Sequence, residues 1–252
     1  MGGRFSFEVV DARDYHDLRP GYAREAVAWV LLEGGLGRGS TVVDLAAGTG
    51  QLSRHLVAMA PDVVAVEPAA NMRAMLAARL PAVRALAGTA ERLPLADGVI
   101  DAVVVGNAFH HFERDAAFAE IHRVLCPGGS LALFWAWPLE EEQRRTRAMD
   151  RIYEAVQRAR TDSSIIAAYR SWEDVPATGP GFSPFRRREF PLTHVLPSAR
   201  LADLYATSSD VASMPRGDRT QLLSRIVELA AALPGTLRLP TRTVVDRCTR
   251  DD

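Results

Sequence analysis

Between residues 41 and 136, short apolar runs alternate with longer stretches in which apolar residues recur every three or four positions. The runs are Thr41 to Leu45, Val63 to Glu67, Val83 to Leu86, Asp101 to Val105 and Ser130 to Trp135, all of strand length. Between them Leu52, Leu56 and Met59 keep helical spacing, as do Met72, Leu76 and Leu80, and then Phe118, Ile121 and Leu125. Strand and helix in alternation predict an α/β fold of βαβ units, with right-handed crossovers and helices on both faces of a parallel sheet. Upstream, Pro20-Gly21 opens a further helical stretch that carries Ala26, Trp29 and Val30 toward the sheet.

After Pro138 the pattern changes. Glu140 to Arg160 reads as one highly charged helix, and 161–185 is rich in Ser, Pro and Gly, as an irregular insertion over the sheet edge would be. Arg186 to Leu196 reads as a strand, Leu201 to Ala206 and Leu222 to Leu233 as helices, and Thr241 to Cys248 as the closing strand. The expectation is a single domain. Residues 1–40 form an N-terminal helical cover, 41–136 a core, 139–185 the insertion, and 186–252 the strands and helices that complete the sheet.

Composition narrows the function classes. A chain of 252 residues with 48% hydrophobic and 24% charged residues has ample material for a core and is not disordered. Thirty basic side chains against 31 acidic ones, net −1, speak against broad nucleic-acid binding, which needs a basic surface. The chain holds no lysine, so no Schiff-base nucleophile or tuned amine base is available. Cys126 and Cys248 form no CxxC element and have no histidines at ligand spacing, so no metal site is expected. The first residues lack an apolar leader and no apolar run approaches the ~18 residues of a membrane span, so the expected setting is the cytoplasm, with no membrane partner.

The most informative segment is VVDLAAGTGQLSRHL at 42–56, a β-branched strand, a small-residue turn and then a helix. Small residues at Ala46, Ala47, Gly48 and Gly50 let a ligand approach the backbone, at the strand ends where doubly wound sheets bind ligands. Glu67, at the tip of the second strand, is placed to accept hydrogen bonds from two ribose hydroxyls. GTAERLPL (88–95) follows the third strand and GNAFHHF (106–112) the fourth, so four successive strand ends carry ligand-compatible loops.

Together with VAVEP (64–68), IDAVVVGNAFHHF (100–112) and EIHRVLCPGGSLAL (120–133), these segments make five motifs in order. In this the chain resembles the class I, Rossmann-like S-adenosylmethionine-dependent methyltransferases, and the segment YHDLRPGY (15–22) is similar to their trans-aconitate-methyltransferase-like small-molecule subgroup. The resemblance implies a seven-stranded, mostly parallel sheet with an antiparallel last strand, S-adenosylmethionine as methyl donor and S-adenosylhomocysteine as product. It implies that Asp44 orders the first loop near the cofactor's amino group, that Ala46, Gly48 and Gly50 line its methionine and ribose portion, and that Glu67 holds the ribose hydroxyls. Pro68, Thr89 and Ala90 would contact adenine, Asn107 and Ala108 would offer backbone carbonyls to the amino group, and Tyr15 and Arg19 would cover the methionine end. Arg19 before Pro-Gly equally suits the anchor of a surface turn. Two positions depart from the family pattern: Ala46 replaces the usual first glycine, and Thr89 stands where an acid often meets the adenine amino group.

Methyl transfer from a sulfonium is an in-line displacement that needs alignment in a dry site more than a dedicated nucleophile. A base is required only for a hydroxyl or carbon acid, and His110 and His111 are placed for that role or for a wall of the acceptor pocket. Trp135, Trp137, Tyr169, Trp172 and Tyr205 are further pocket or core candidates. The expected partner is a small-molecule acceptor, with the enzyme a monomer or homodimer. A nicotinamide-dependent oxidoreductase is the rival of the same fold class, although Ser53 occupies its third glycine position; a non-catalytic cofactor-binding module is the other alternative.

Overall fold

The computed structural model describes residues 11–59, 62–161 and 177–251. Tyr169 and Trp172 lie outside the described residues. The seven strands are β1 (Thr41–Leu45), β2 (Asp62–Val66), β3 (Arg84–Leu86), β4 (Ile100–Gly106), β5 (Leu125–Pro138), β6 (Arg186–Pro197) and β7 (Thr236–Thr249). They form one sheet in the order β3-β2-β1-β4-β5-β7-β6. Parallel pairing joins β3 to β2, β2 to β1, β1 to β4 and β4 to β5, with Val43 opposite both Val64 and Val103. The expected α/β sheet is thus present, and β7 is its antiparallel strand, placed between β5 and β6.

Four of the five residues of β1 and of β2 are buried, as parallel strands covered on both faces must be. That is why these segments read as continuous apolar runs. The chain divides into two compact units, described separately. The first takes in 21–136, 177–190 and 243–251 where described. In it α2 (Arg24–Glu33), α3 (Ser53–Val57) and α4 (Ala70–Arg79) bring Ala26, Val30, Leu56 and Leu76 onto Val42, Ala65, Val104 and Phe134. Fully burying each such Val, Leu or Phe contributes about 1.5–3 kcal/mol. Helix α5 (Arg114–Val124) buries Phe118 and Ile121.

The second unit takes in 11–20, 137–161 and 191–242. Here α1 (Ala12–Leu18), α6 (Glu140–Gln143), α7 (Arg147–Thr161), α8 (Leu201–Ala206), α9 (Ser209–Ala212) and α10 (Arg216–Ala230) occur, and Met149, Ile152, Val156, Leu222 and Ile226 share one apolar core. The single charged helix expected over 140–160 is two helices. Thr146 Oγ1 accepts the Met149 N–H and starts a new helix, and an Arg144–Asp150 ion pair at 2.6 Å closes over the break. Helix α9 was not expected, and α10 begins six residues before Leu222 because its first turns are polar on every side. Among the described residues no helix is long and apolar enough to cross a membrane.

Candidate cofactor-binding site

The site is built at the carboxyl ends of β1, β2, β3 and β4, all in the first unit. After β1 the chain turns through Ala46 (φ 55°) and Gly48 (φ 57°) and reaches Gly50 (φ 86°) before α3. These are left-handed conformations, which cost a residue bearing a Cβ about 1–2 kcal/mol. Ala46 bears that cost. Gly50 has a second reason to be glycine: a Cβ there would stand 2.9 Å from Leu80 Cδ1 and 3.2 Å from Leu76 Cγ. At Gly48 a Cβ would meet no protein atom within 4 Å, so the turn is open on that side to a ligand. The Ala47 N–H donates to the Val66 carbonyl at 3.2 Å and fastens the turn to the end of β2.

Two buried carboxyls stand behind this turn. Glu67, one residue past β2, accepts from the Gly48 N–H at Oε2 and from the Ala69 N–H at Oε1, both at 2.8 Å. A carboxylate has about four acceptor positions, so two remain on Glu67 for ligand hydroxyls. Burial pushes its pKa up, while the two N–H donors and Arg73 act in the opposite direction. Arg73 also donates to the backbone carbonyls of Glu67 and Pro68, at 2.8 and 3.1 Å, and holds this corner from α4. Asp44, 1% exposed at β1, accepts from Ser53 Oγ at 2.6 Å. Burial raises its pKa to about 7, against the Ser53 hydrogen bonds that lower it, and the neighbouring Glu67 adds to the rise. Ser53 is the residue whose presence counted against a dinucleotide fingerprint; its structural work is to satisfy Asp44.

Further along the sheet edge, Pro68 and Thr89 are exposed and Ala90 is buried. Gly88 is closely covered, since a Cβ would stand 2.8 Å from Pro94 Cδ and 2.9 Å from Val66 Cγ1. After β4, Asn107 adopts φ 50°, a conformation Asn tolerates, and its Oδ1 accepts the Ala136 N–H at 2.9 Å. The Ala108 carbonyl accepts from the His111 N–H at 2.9 Å and closes the 3₁₀ turn Phe109–His111. The His110 and His111 rings lie against each other with centroids 3.9 Å apart, and His110 faces Trp135 at 5.9 Å. His111 is exposed on its outer side and crowded by protein on the other, and this desolvation lowers its pKa.

Asp44, Ala46, Gly48, Gly50, Glu67, Pro68, Thr89, Ala90, Asn107 and Ala108 therefore all belong to one unit, as do His110 and His111. Tyr15 and Arg19 belong to the other, where the guanidinium lies 5.4 Å from the tyrosine ring. Trp135 is 4% exposed and its indole N–H donates to Asp246 at 3.3 Å, which accounts for it as a core residue. Sequence reasoning missed Tyr22, whose hydroxyl would lie 2.5 Å from a Cβ at Gly106 and whose ring meets Phe134 edge-on at 5.8 Å. The glycine ending β4 was the available signal.

Residues 43–133 match the model of a methyltransferase domain family. An uncharacterised methyltransferase of Mycobacterium tuberculosis is 35% identical over 240 residues, covering 93% of this chain and 92% of its own. A malonyl-[acyl-carrier protein] O-methyltransferase of Methylococcus capsulatus is 39% identical over 117 residues, covering 43% of this chain and 42% of its own. Among solved structures, one from Anaeromyxobacter dehalogenans assigned as a type II methyltransferase shares the fold at a TM-score of 0.66 and 21% identity, covering 92% of this chain and 98% of its own. Five ordered motifs, the glycine-loop geometry and a relative matched over nearly its whole length agree: the chain belongs to the class I S-adenosylmethionine-dependent methyltransferases.

Proposed function

We propose that the enzyme transfers the methyl group of S-adenosylmethionine to an oxygen, carboxylate or hydroxyl, of a small-molecule acceptor. The observation that carries this reading is the open turn at Gly48 backed by Glu67, both of whose carboxylate oxygens are fixed by backbone N–H groups. When bound, the cofactor supplies an electrophilic methyl carbon and its own leaving group.

The protein's part is positional. Glu67 would hold the ribose 2′ and 3′ hydroxyls, Gly48 and Gly50 would line the ribose and methionine portion, and Pro68, Thr89 and Ala90 would border the adenine. Asp44, Asn107 and Ala108 would receive the amino group. Holding two reactants in line is worth about 7–11 kcal/mol of the barrier in favourable systems, which is enough to do without a nucleophilic side chain. For a hydroxyl acceptor, His111 is suited to take the proton, because its lowered pKa keeps the imidazole neutral at pH 7. A carboxylate acceptor needs no base. Oxygen as the receiving atom is supported by the partial likeness to a malonyl-[acyl-carrier protein] O-methyltransferase, and the small-molecule acceptor by the balanced charge of 30 basic and 31 acidic residues. The same balance supports an enzyme that does not act on nucleic acid.

Calorimetry with S-adenosylhomocysteine tests the cofactor assignments. Glu67→Ala is expected to weaken binding at least tenfold, and an unchanged affinity in a folded variant removes the ribose role. Incubation with S-adenosylmethionine labelled in the methyl group and a metabolite extract tests the acceptor class: label in base-labile small molecules supports carboxylate methylation, and label confined to macromolecules overturns the reading.

A further inference from the structure

We propose that Glu120 and Arg123, on the far half of α5, are positioning residues that set the adenine-side loop 88–95; the proposal rests on the assignment of that loop to adenine. Neither residue reaches the loop's outer end. Arg123 donates from Nη2 to the Leu93 carbonyl at 3.2 Å, and from Nη1 to the Leu95 carbonyl at 2.9 Å and to Asp97 Oδ1 at 2.6 Å. Glu120 accepts the Leu93 N–H at Oε2, 2.8 Å, and receives two further hydrogen bonds from Arg123 at 2.8 and 2.9 Å. One bidentate pair on one helix thus grips Leu93 and Leu95 by three backbone groups.

Pro94 lies between those two gripped residues and, with Val66, packs on Gly88, where no Cβ would fit. Gly88 leads directly into Thr89 and Ala90. The loop is closed on itself by the Arg92 N–H donating to the Thr89 carbonyl at 3.2 Å. At its tip, Glu91 Oε1 accepts the Glu113 N–H at the start of α5, 3.0 Å. The same helix follows the turn that carries Asn107 and Ala108. α5 is therefore a strut that meets the adenine-side loop at Glu113 and again at the Glu120–Arg123 pair, which is its grip on that loop. A planar guanidinium with five donors can serve two carbonyls and two carboxylates at once, which a lysine cannot do.

The test compares the affinities of the full-length protein for S-adenosylhomocysteine and for S-inosylhomocysteine, which differs only in the base. The wild type is expected to prefer the adenosyl compound at least tenfold, and Arg123→Ala to reduce that ratio threefold or more. Should Arg123→Ala fail to fold, Glu120→Gln decides by the same threshold, since it keeps an acceptor for Leu93 but removes the charge that orients Arg123. A smaller change in the folded variant overturns the proposal, because a merely structural role would weaken both ligands alike. Arg225→Ala, which removes an exposed ion pair with Glu228 in the other unit, is the control; a threefold change there also overturns it. A wild type that binds neither compound refutes the cofactor site itself, and one that binds both equally refutes only the role of the loop.

Discussion

Asp44, next to last in β1, has its carboxyl removed from water and the Ser53 hydroxyl at 2.6 Å in place of hydration. Its pKa of about 7 lies above the ordinary 3.8. The neutral form is therefore the one the fold favours: the stability it contributes is fully present below pH 4 and is lost as pH rises through 7. A cationic ligand reverses the preference, since the ammonium and sulfonium of S-adenosylmethionine favour the carboxylate. Affinity is then expected to fall as pH drops below 7, approaching tenfold per unit where binding takes up the full charge. Calorimetry between pH 5.5 and 7.5 measures this slope, and Asp44→Asn should flatten it; an equal slope in the variant removes Asp44 from contact with the cation. The positions of Asp44 and Glu67 were legible from a strand run followed by small residues and an acid. Ser53 was not, because a serine inside a helical pattern says nothing about which buried group it faces.

At the scale of elements, helix α2 depends on a strand distant in sequence. Its N-cap, Ala23, has no side chain to serve the orphan donors of the first turn. The Ala23 N–H instead donates to Thr243 Oγ1 of β7 at 2.8 Å, in a position with no exposure to solvent. Thr243→Val keeps the shape and leaves that N–H buried without an acceptor, which costs about 1–3 kcal/mol. Chemical denaturation should show the loss, with an unchanged slope; a variant as stable as the wild type would mean that the N–H finds another acceptor. Element boundaries followed the spacing where one face alone is apolar, as in α8, found at Leu201–Ala206 as expected. They failed where the apolar signal begins late: β5 starts at Leu125 and β7 at Thr236, each five residues before the run that announced it. Backbone pairing extends a strand beyond the residues that bury side chains.

For the molecule as a whole, a ligand that binds only the folded state raises stability with the logarithm of its concentration relative to its dissociation constant. At a hundredfold excess over its dissociation constant, S-adenosylhomocysteine should add about 2.7 kcal/mol. For a chain of this size that corresponds to a rise of about 5–10 °C in Tm. Differential scanning calorimetry checks this, and Glu67→Ala at the same ligand concentration should lose about half of the rise or more. NADH should give none; a comparable rise with NADH would return the site to the oxidoreductase reading.

The residue pattern by itself determined the alternation of strands and helices, the small-residue turn after β1 and the acid after β2, since each depends on neighbours within a turn or a strand. Tertiary structure alone decided the rest. It brought Thr243 to Ala23 and Asp246 to Trp135, it placed Arg123 under a loop that begins 35 residues earlier, and it took Asp44 out of water. Burial and long-range hydrogen bonds are properties of where segments meet, and no local spacing of residues encodes them.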